Sequence, residues 1–196
     1  MSIAKLIEKR TRIVGDIIEP HVHDNQQLLD FGCGNMEIPG YILKQKKVSF
    51  TGVDVIDYPN AQHDFQKLEP DDALPFSDDH FDASIACFAL HHTNDPEFFF
   101  RELIRVARKR IIILEDTFNT WVGKARTKVI DRIYNGNFLL KHAGGSDMNI
   151  PYNFKSVKQW KALIAASGLK TIEFKRIYPH PLPFIPAHNI LMVIDK

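Results

Sequence analysis

Leu28-Leu29-Asp30-Phe31-Gly32-Cys33-Gly34 sets the tightest limit on how this chain can fold. An apolar run ends in a carboxylate, and the glycines that follow form a turn where backbone can approach a ligand closely. Such a turn belongs between a strand and a helix. Pro39 suits the first turn of that helix, because its missing N–H needs no partner there. Val48 to Val55 reads as a second strand, and Gly52-Val53-Asp54 places a second carboxylate at its tip, 22 residues after Gly32. An acid at that position can accept hydrogen bonds from both ribose hydroxyls of a nucleoside. The pair describes a nucleoside-bearing cofactor lying across adjacent strand ends.

The rest of the chain repeats the alternation of strand and helix. Ser2 caps an amphipathic leading helix that Pro20 stops. A third short strand is expected around Ala61 to Phe65 and a fourth over Phe81 to Phe88. Asp95-Pro96 opens a helix through Val106, and Ile111 to Leu114 is a β-branched strand ending in Glu115-Asp116. Four basic residues between Arg105 and Arg110 read as a solvated helix C-terminus that complements the helix dipole. Residues 117–154 break the metre and read as a helix followed by an irregular insertion. Ser156-x-x-Gln159 is a capping box, Gly168 ends its helix, and strands over Lys170–Tyr178 and His188–Ile194 close the chain. This pattern predicts a parallel α/β sheet with helices on both faces. At 196 residues the length fits a single domain: leading helix 1–20, core 26–116, insertion 117–154 and C-terminal part 155–196.

The glycine pattern narrows the cofactor. A dinucleotide fingerprint needs a third glycine at position 37, where Glu37 stands and would repel a pyrophosphate. Asp30 points to a cofactor with a cationic amine near the turn. S-adenosylmethionine has such an ammonium and no phosphate.

On these residues the sequence resembles the class I S-adenosylmethionine-dependent methyltransferases of the small-molecule type. LLDFGCGN (28–35), Asp54, LPFSDDHFD (74–82) and FALHHTNDPEFFFRELIRVARKRIIILED (88–116) carry the resemblance, and IPYNFKSVKQWKALIAASGLK (150–170) extends it toward an uncharacterised branch. The resemblance implies a Rossmann-like doubly wound, mostly parallel seven-stranded sheet. Its order would be 3-2-1-4-5-7-6, with an antiparallel last strand. Asp30, Gly32, Cys33 and Gly34 would line the methionine part of the cofactor, and Asp54 and Val55 the ribose. Asp64 and Phe65 would flank the adenine, with Asp72 as the alternative acid. Phe88 would stand where cofactor and acceptor meet. Met36 occupies the family's last glycine position, so a slightly wider turn is expected.

Methyl transfer from a sulfonium is an in-line displacement in which the protein chiefly aligns and desolvates. An acceptor that must lose a proton needs a base, which suits His92 first and His91 second. Asp116 could orient the acceptor, while His142, Tyr152 and Trp121 could reach it from the insertion. Each has an ordinary alternative: a buried histidine bonded to backbone, a loop residue, a core aromatic. No metal site is expected, since His21-x-His23-Asp24 reads as a solvated turn.

Charge and cysteine usage bound the partners. Twenty-five basic against 24 acidic residues argue against duplex binding by the whole surface. Residues 118–160, however, hold seven Lys or Arg against two Asp, an excess of +5. A basic flap would favour an anionic small-molecule acceptor or a nucleic acid. Two cysteines cannot build a disulfide framework, no apolar run approaches the ~20 residues of a membrane span, and a cytoplasmic setting is expected. The alternatives to a small-molecule methyltransferase are an RNA or protein methyltransferase and a non-catalytic cofactor-binding module. Oligomeric state has no signature in the sequence.

Overall fold

The computed structural model describes residues 2–57, 64–132, 151–180 and 187–196. Helix α1 (Ile3–Ile18) leads into β1 (Gln27–Phe31), α2 (Glu37–Ile42), β2 (Ser49–Asp54), β3 (Asp64–Lys67) and β4 (Phe81–Cys87). Then follow α3 (Pro96–Val106), β5 (Ala107–Asp116), α4 (Trp121–Asp131), α5 (Val157–Ser167), β6 (Lys170–Ile177) and β7 (Asn189–Asp195). The sheet has seven strands in the order β3-β2-β1-β4-β5-β7-β6. Strand β7 runs antiparallel to both its neighbours, and the β3-to-β5 side is parallel throughout. This is the Rossmann-like order expected, with the last strand reversed.

Alternation along the strands explains why both faces are covered. Leu28 and Leu29 point to opposite faces, as do Ile111 and Ile112, and all four are fully buried. Leu29, Ile111, Ile113 and Met192 pack under α3 and α5, through Phe100, Leu103 and Trp160. Leu28, Ile112, Leu114 and Leu191 pack on the other face, against Val14 and Ile18 of α1. Strands buried on two faces have to read as near-continuous apolar runs, and the β-branched run of β5 does.

The caps follow the sequence. The Ser2 hydroxyl accepts from the Lys5 N–H, and Asp95 accepts from the N–H groups of Glu97 and Phe98. Ser156 and Gln159 form a reciprocal capping box, and Gly168 ends α5 at φ +70°. The basic run differs. Helix α3 ends at Val106, so Arg108, Lys109 and Arg110 lie on β5 and not on a helix terminus. The pairing with β4 is irregular here, and each basic residue finds a carboxylate: Arg108 and Lys109 both meet Asp82, and Arg110 grips Asp195 at 2.7 and 3.0 Å.

Candidate functional site

The ends of β1, β2, β4 and β5 converge at one edge of the sheet. After Phe31 the chain turns through Gly32 at φ +67° and Gly34 at φ +54°. The Gly32 and Cys33 N–H groups both donate to the Val53 carbonyl, tying the turn to β2. A Cβ on Gly32 would stand 2.4 Å from that of Ala89, so only glycine fits there. Beside Gly34, by contrast, a Cβ would meet nothing within 4 Å. The turn therefore has one side packed against Ala89, just past β4, and the other facing open space.

Asp54 closes this turn. Its carboxylate accepts from the Gly34 N–H and the Ile56 N–H, each at 3.0 Å. Burial raises its pKa, against the pull of these backbone donors. Asp30 is buried beside it, and burial together with the Asp54 charge pushes its pKa up to about 8. Two acids held close in a dry place make a strong binding position for a cation.

Met36 stands where the family's last glycine would allow the left-handed conformation. It takes the left-handed conformation itself, at φ +60°, with its side chain folded into the core. Its Sδ and Cε, with Cys33 Sγ, fill the space above Gly52. The side chain thus packs beneath the turn.

Asp64 and Phe65 sit elsewhere than expected. In the parallel register Thr51 faces Asp64 and Asp54 faces Lys67, so Asp64 opens β3 and lies three residues short of its tip. Its carboxylate accepts from the Thr51 hydroxyl at an exposed position, and Phe65 packs on the α1 face. The residue joined to Asp54 past the tip is Leu68, whose N–H donates to the Asp54 carbonyl. The segment that sets this register had too weak a pattern to be aligned by sequence. Asp72 lies in the following loop, exposed.

On the other side of Gly32, Phe88 caps β4 at φ +56°, and the Arg10 guanidinium lies 5.1 Å from its ring centre. A 3-10 turn over Leu90–His92 follows. Glu115, at the end of β5, accepts from the Leu90 N–H at 2.8 Å and pairs with His91 Nδ1 at 2.6 Å. His91 Nε2 lies 3.5 Å from Asp131 Oδ1, and His92 Nε2 lies 3.6 Å from Asp131 Oδ2. Burial opposes a charge on His91, but Glu115, Asp131 and Asp116 outweigh it and push the imidazole up to about 10. His92 moves the opposite way, down to about 4, through burial and the His91 charge. Its Nδ1 meets the Pro151 carbonyl at 3.3 Å, and its ring stands against Tyr152.

A cleft opens beside this cluster, lined by Arg10, Phe88, Asp116, Ile130, Asp131, His180 and Asn189. Asn189 Nδ2 donates to Asp116, and its Oδ1 meets His180 Nε2 at 3.1 Å. Burial raises the Asp116 carboxyl to about 7.

Sequence reasoning brought His91, His92, Asp116 and Tyr152 to this place and missed Arg10, Glu115, Asp131, His180 and Asn189. A signal for Asp131 existed: Gly123, Thr127 and Asp131 recur every fourth residue and form the buried face of α4. Trp121, expected in the acceptor wall, is 83% exposed, because it falls two residues and so about 200° off that face. His142 lies outside the described residues.

Residues 29–114 match the profile of the methyltransferase domain family. The match runs from β1 into β5. Outside the family profile, a tRNA U34 carboxymethyltransferase of Nautilia profundicola is 32% identical over 107 residues, covering 49% of this chain and 36% of the relative. A ubiquinone/menaquinone biosynthesis C-methyltransferase UbiE of Geobacter sulfurreducens is 28% identical over 171 residues, covering 74% of this chain and 64% of the relative. The chain thus spans less than two thirds of either curated relative. Among solved structures, the complex of the Haloferax volcanii Trm112 methyltransferase activator with its methyltransferase superposes with a TM-score of 0.72, at 16% identity, covering 97% of this chain and 92% of that one. That likeness shows the fold. The glycine turn, Asp54 and the His91–Glu115 junction all stand on the C-terminal edge of the parallel strands, where open α/β sheets bind ligands. No helix among the described residues is long and apolar enough to cross a membrane.

Proposed function

We propose that this chain is an S-adenosylmethionine-dependent methyltransferase acting on a small molecule held in the cleft between Phe88, Asp116 and α4. The observation that carries this reading is the open side of the Gly32–Gly34 turn, flanked by buried Asp30 and half-buried Asp54. When bound, S-adenosylmethionine supplies a methyl group on a sulfonium sulfur, transferred by in-line displacement. Asp30 would receive the cofactor's ammonium, a partner that favours its ionised form. Asp54 retains accepting lone pairs for ribose hydroxyls beyond its two backbone donors. Met36, at the family's last glycine position, leaves the open side of the turn clear, because its side chain packs over Gly52 in the core.

Toward the acceptor, the chain supplies a wall with donors and acceptors in fixed places. Asn189 orients Asp116, and the Arg10 guanidinium at the cleft favours an anionic acceptor. His92 is unprotonated at neutral pH and can take a proton from an acceptor that loses one, although a low pKa makes it a modest base.

The test is thermal. S-adenosylmethionine and its demethylated product should each raise the melting temperature, and Asp54→Ala should abolish most of the rise. Folded protein that neither compound stabilises would overturn the reading. A screen of cell extract with labelled cofactor then identifies the acceptor.

A second reading, an RNA acceptor, draws on Lys124, Arg126 and Lys128 along α4 and on the likeness to a tRNA-modifying enzyme. It predicts salt-dependent RNA binding that weakens when these three residues are neutralised.

A further inference from the structure

The junction between the β4 tip and α4 is built like a metal centre. His91, His92 and Asp131 each turn one ligating atom inward, and these atoms lie within 4.8 Å of one another. His91 Nε2 lies 3.5 Å from one Asp131 oxygen and His92 Nε2 3.6 Å from the other, so both imidazoles face the carboxylate and the three side chains have to close in slightly to share one ion. Each imidazole is also held from behind. His91 presents Nδ1 to Glu115 at 2.6 Å and His92 presents Nδ1 to the Pro151 carbonyl at 3.3 Å. A proton on each Nδ1 leaves the Nε2 lone pairs aimed at Asp131, as in sites where a carboxylate or carbonyl orients a ligating histidine.

Burial points the same way. His91 is 1% exposed, and its Nε2 makes no hydrogen bond among the described residues. Glu115 and Asp131 are buried on either side of it. An entry path exists, because Asp131 also lines the cleft and the His92 side chain is 20% exposed.

We propose that His91 Nε2, His92 Nε2 and the Asp131 carboxylate bind one divalent first-row transition ion, with Glu115 positioning His91 from behind. Two imidazoles and one carboxylate suit zinc, iron(II) or cobalt(II) better than magnesium or calcium, which prefer all-oxygen shells. Three protein ligands leave a position open for water or an acceptor oxygen. The ion pins α4, the first element of the insertion, to the tip of β4. The site stands apart from the cofactor turn and does not rest on the methyltransferase reading; with the ion bound, His92 is a ligand and no longer serves as the base.

The experiment uses the full chain after chelator treatment, titrated with Zn2+ and Co2+ by calorimetry and visible absorption, with Mg2+ as the contrast. The expected result is one equivalent of Zn2+ per chain, Co2+ bands of a low-coordinate ion, and no comparable uptake of Mg2+. His92→Ala and Asp131→Asn should each weaken Zn2+ binding by more than 100-fold. Glu115→Gln, which removes only the rear support, should weaken it about 10- to 100-fold. Folded wild-type protein that takes up no Zn2+ would overturn the proposal. So would uptake unchanged in both His92→Ala and Asp131→Asn, or Mg2+ binding as tight as Zn2+. If Asp131→Asn fails to fold, the partly exposed His92 carries the test alone. A thermal shift with S-adenosylmethionine on the same samples reports the cofactor reading separately.

Discussion

Met36 holds a backbone conformation that costs a residue with a β-carbon on the order of 1–3 kcal/mol. Burying its side chain recovers a comparable amount, about 1.5–3 kcal/mol. Gly52 makes that exchange possible by leaving room for the thioether. Gly52→Ala should therefore cost roughly 1–3 kcal/mol in urea unfolding, and adding Met36→Ala should recover part of it. Asp30 gives a prediction with a sign. The folded protein keeps its proton up to about pH 8, whereas the unfolded chain releases it near the ordinary 3.8. Between those values the folded state binds more protons, so stability falls as pH rises and levels off above pH 8. Asp30→Asn should flatten part of that decline in the apo protein, by several degrees in melting temperature, since ~1 kcal/mol moves a domain of this size by about 2–4 °C. Asp30 and Asp54 were legible because each ends an apolar run beside a glycine. Asp64 was not, because its level in the sheet depends on a pairing that no local residue specifies.

At the scale of elements, the α3–β5 boundary shows what periodicity hides. Leu103 to Val106 continues a helical stripe, and the basic residues beyond it fit a helix end as well as a strand. Long-range partners decide: Ala107 faces Phe81 and Arg110 faces Asp195 across the sheet. Arg105, still helical, fastens α3 to the loop before β4. It bonds both Glu102 oxygens and the carbonyls of Leu74 and Phe76, while Glu102 also accepts from the Leu74 N–H. Arg105→Ala leaves Glu102 without its cation and should destabilise by roughly 1.5–3 kcal/mol, read from the urea midpoint. Arg105→Lys, unable to fork, should restore only part. Helix α4 was legible as a helix, but its inward face is marked only by the fourfold spacing of Gly123, Thr127 and Asp131 and not by an apolar stripe, which is the usual sign of a buried face.

Across the whole molecule, the sheet order followed from the family resemblance that the motifs carry, and the acceptor side did not. The cofactor edge draws on one continuous stretch of sequence. The cleft joins Arg10, Asp131, His180 and Asn189, which lie up to 179 residues apart and meet only when both ends of the sheet are assembled. The two tryptophans report on these regions separately. Trp160 is 1% exposed under the sheet and Trp121 is 83% exposed on α4. Trp121→Phe should shift fluorescence emission to shorter wavelength and leave a signal that follows global unfolding. Trp160→Phe should leave a long-wavelength signal that follows α4.

Strand β7 lies between β5 and β6, so neither can complete its pairing until residues 189–195 arrive. Before that, Ile111 to Leu114 present an uncovered, strongly apolar edge of the kind that recruits other chains. During synthesis, or after a nick ahead of Asn189, this protein would be at its most aggregation-prone, and a chaperone's grip on it should end when that one strand slots home.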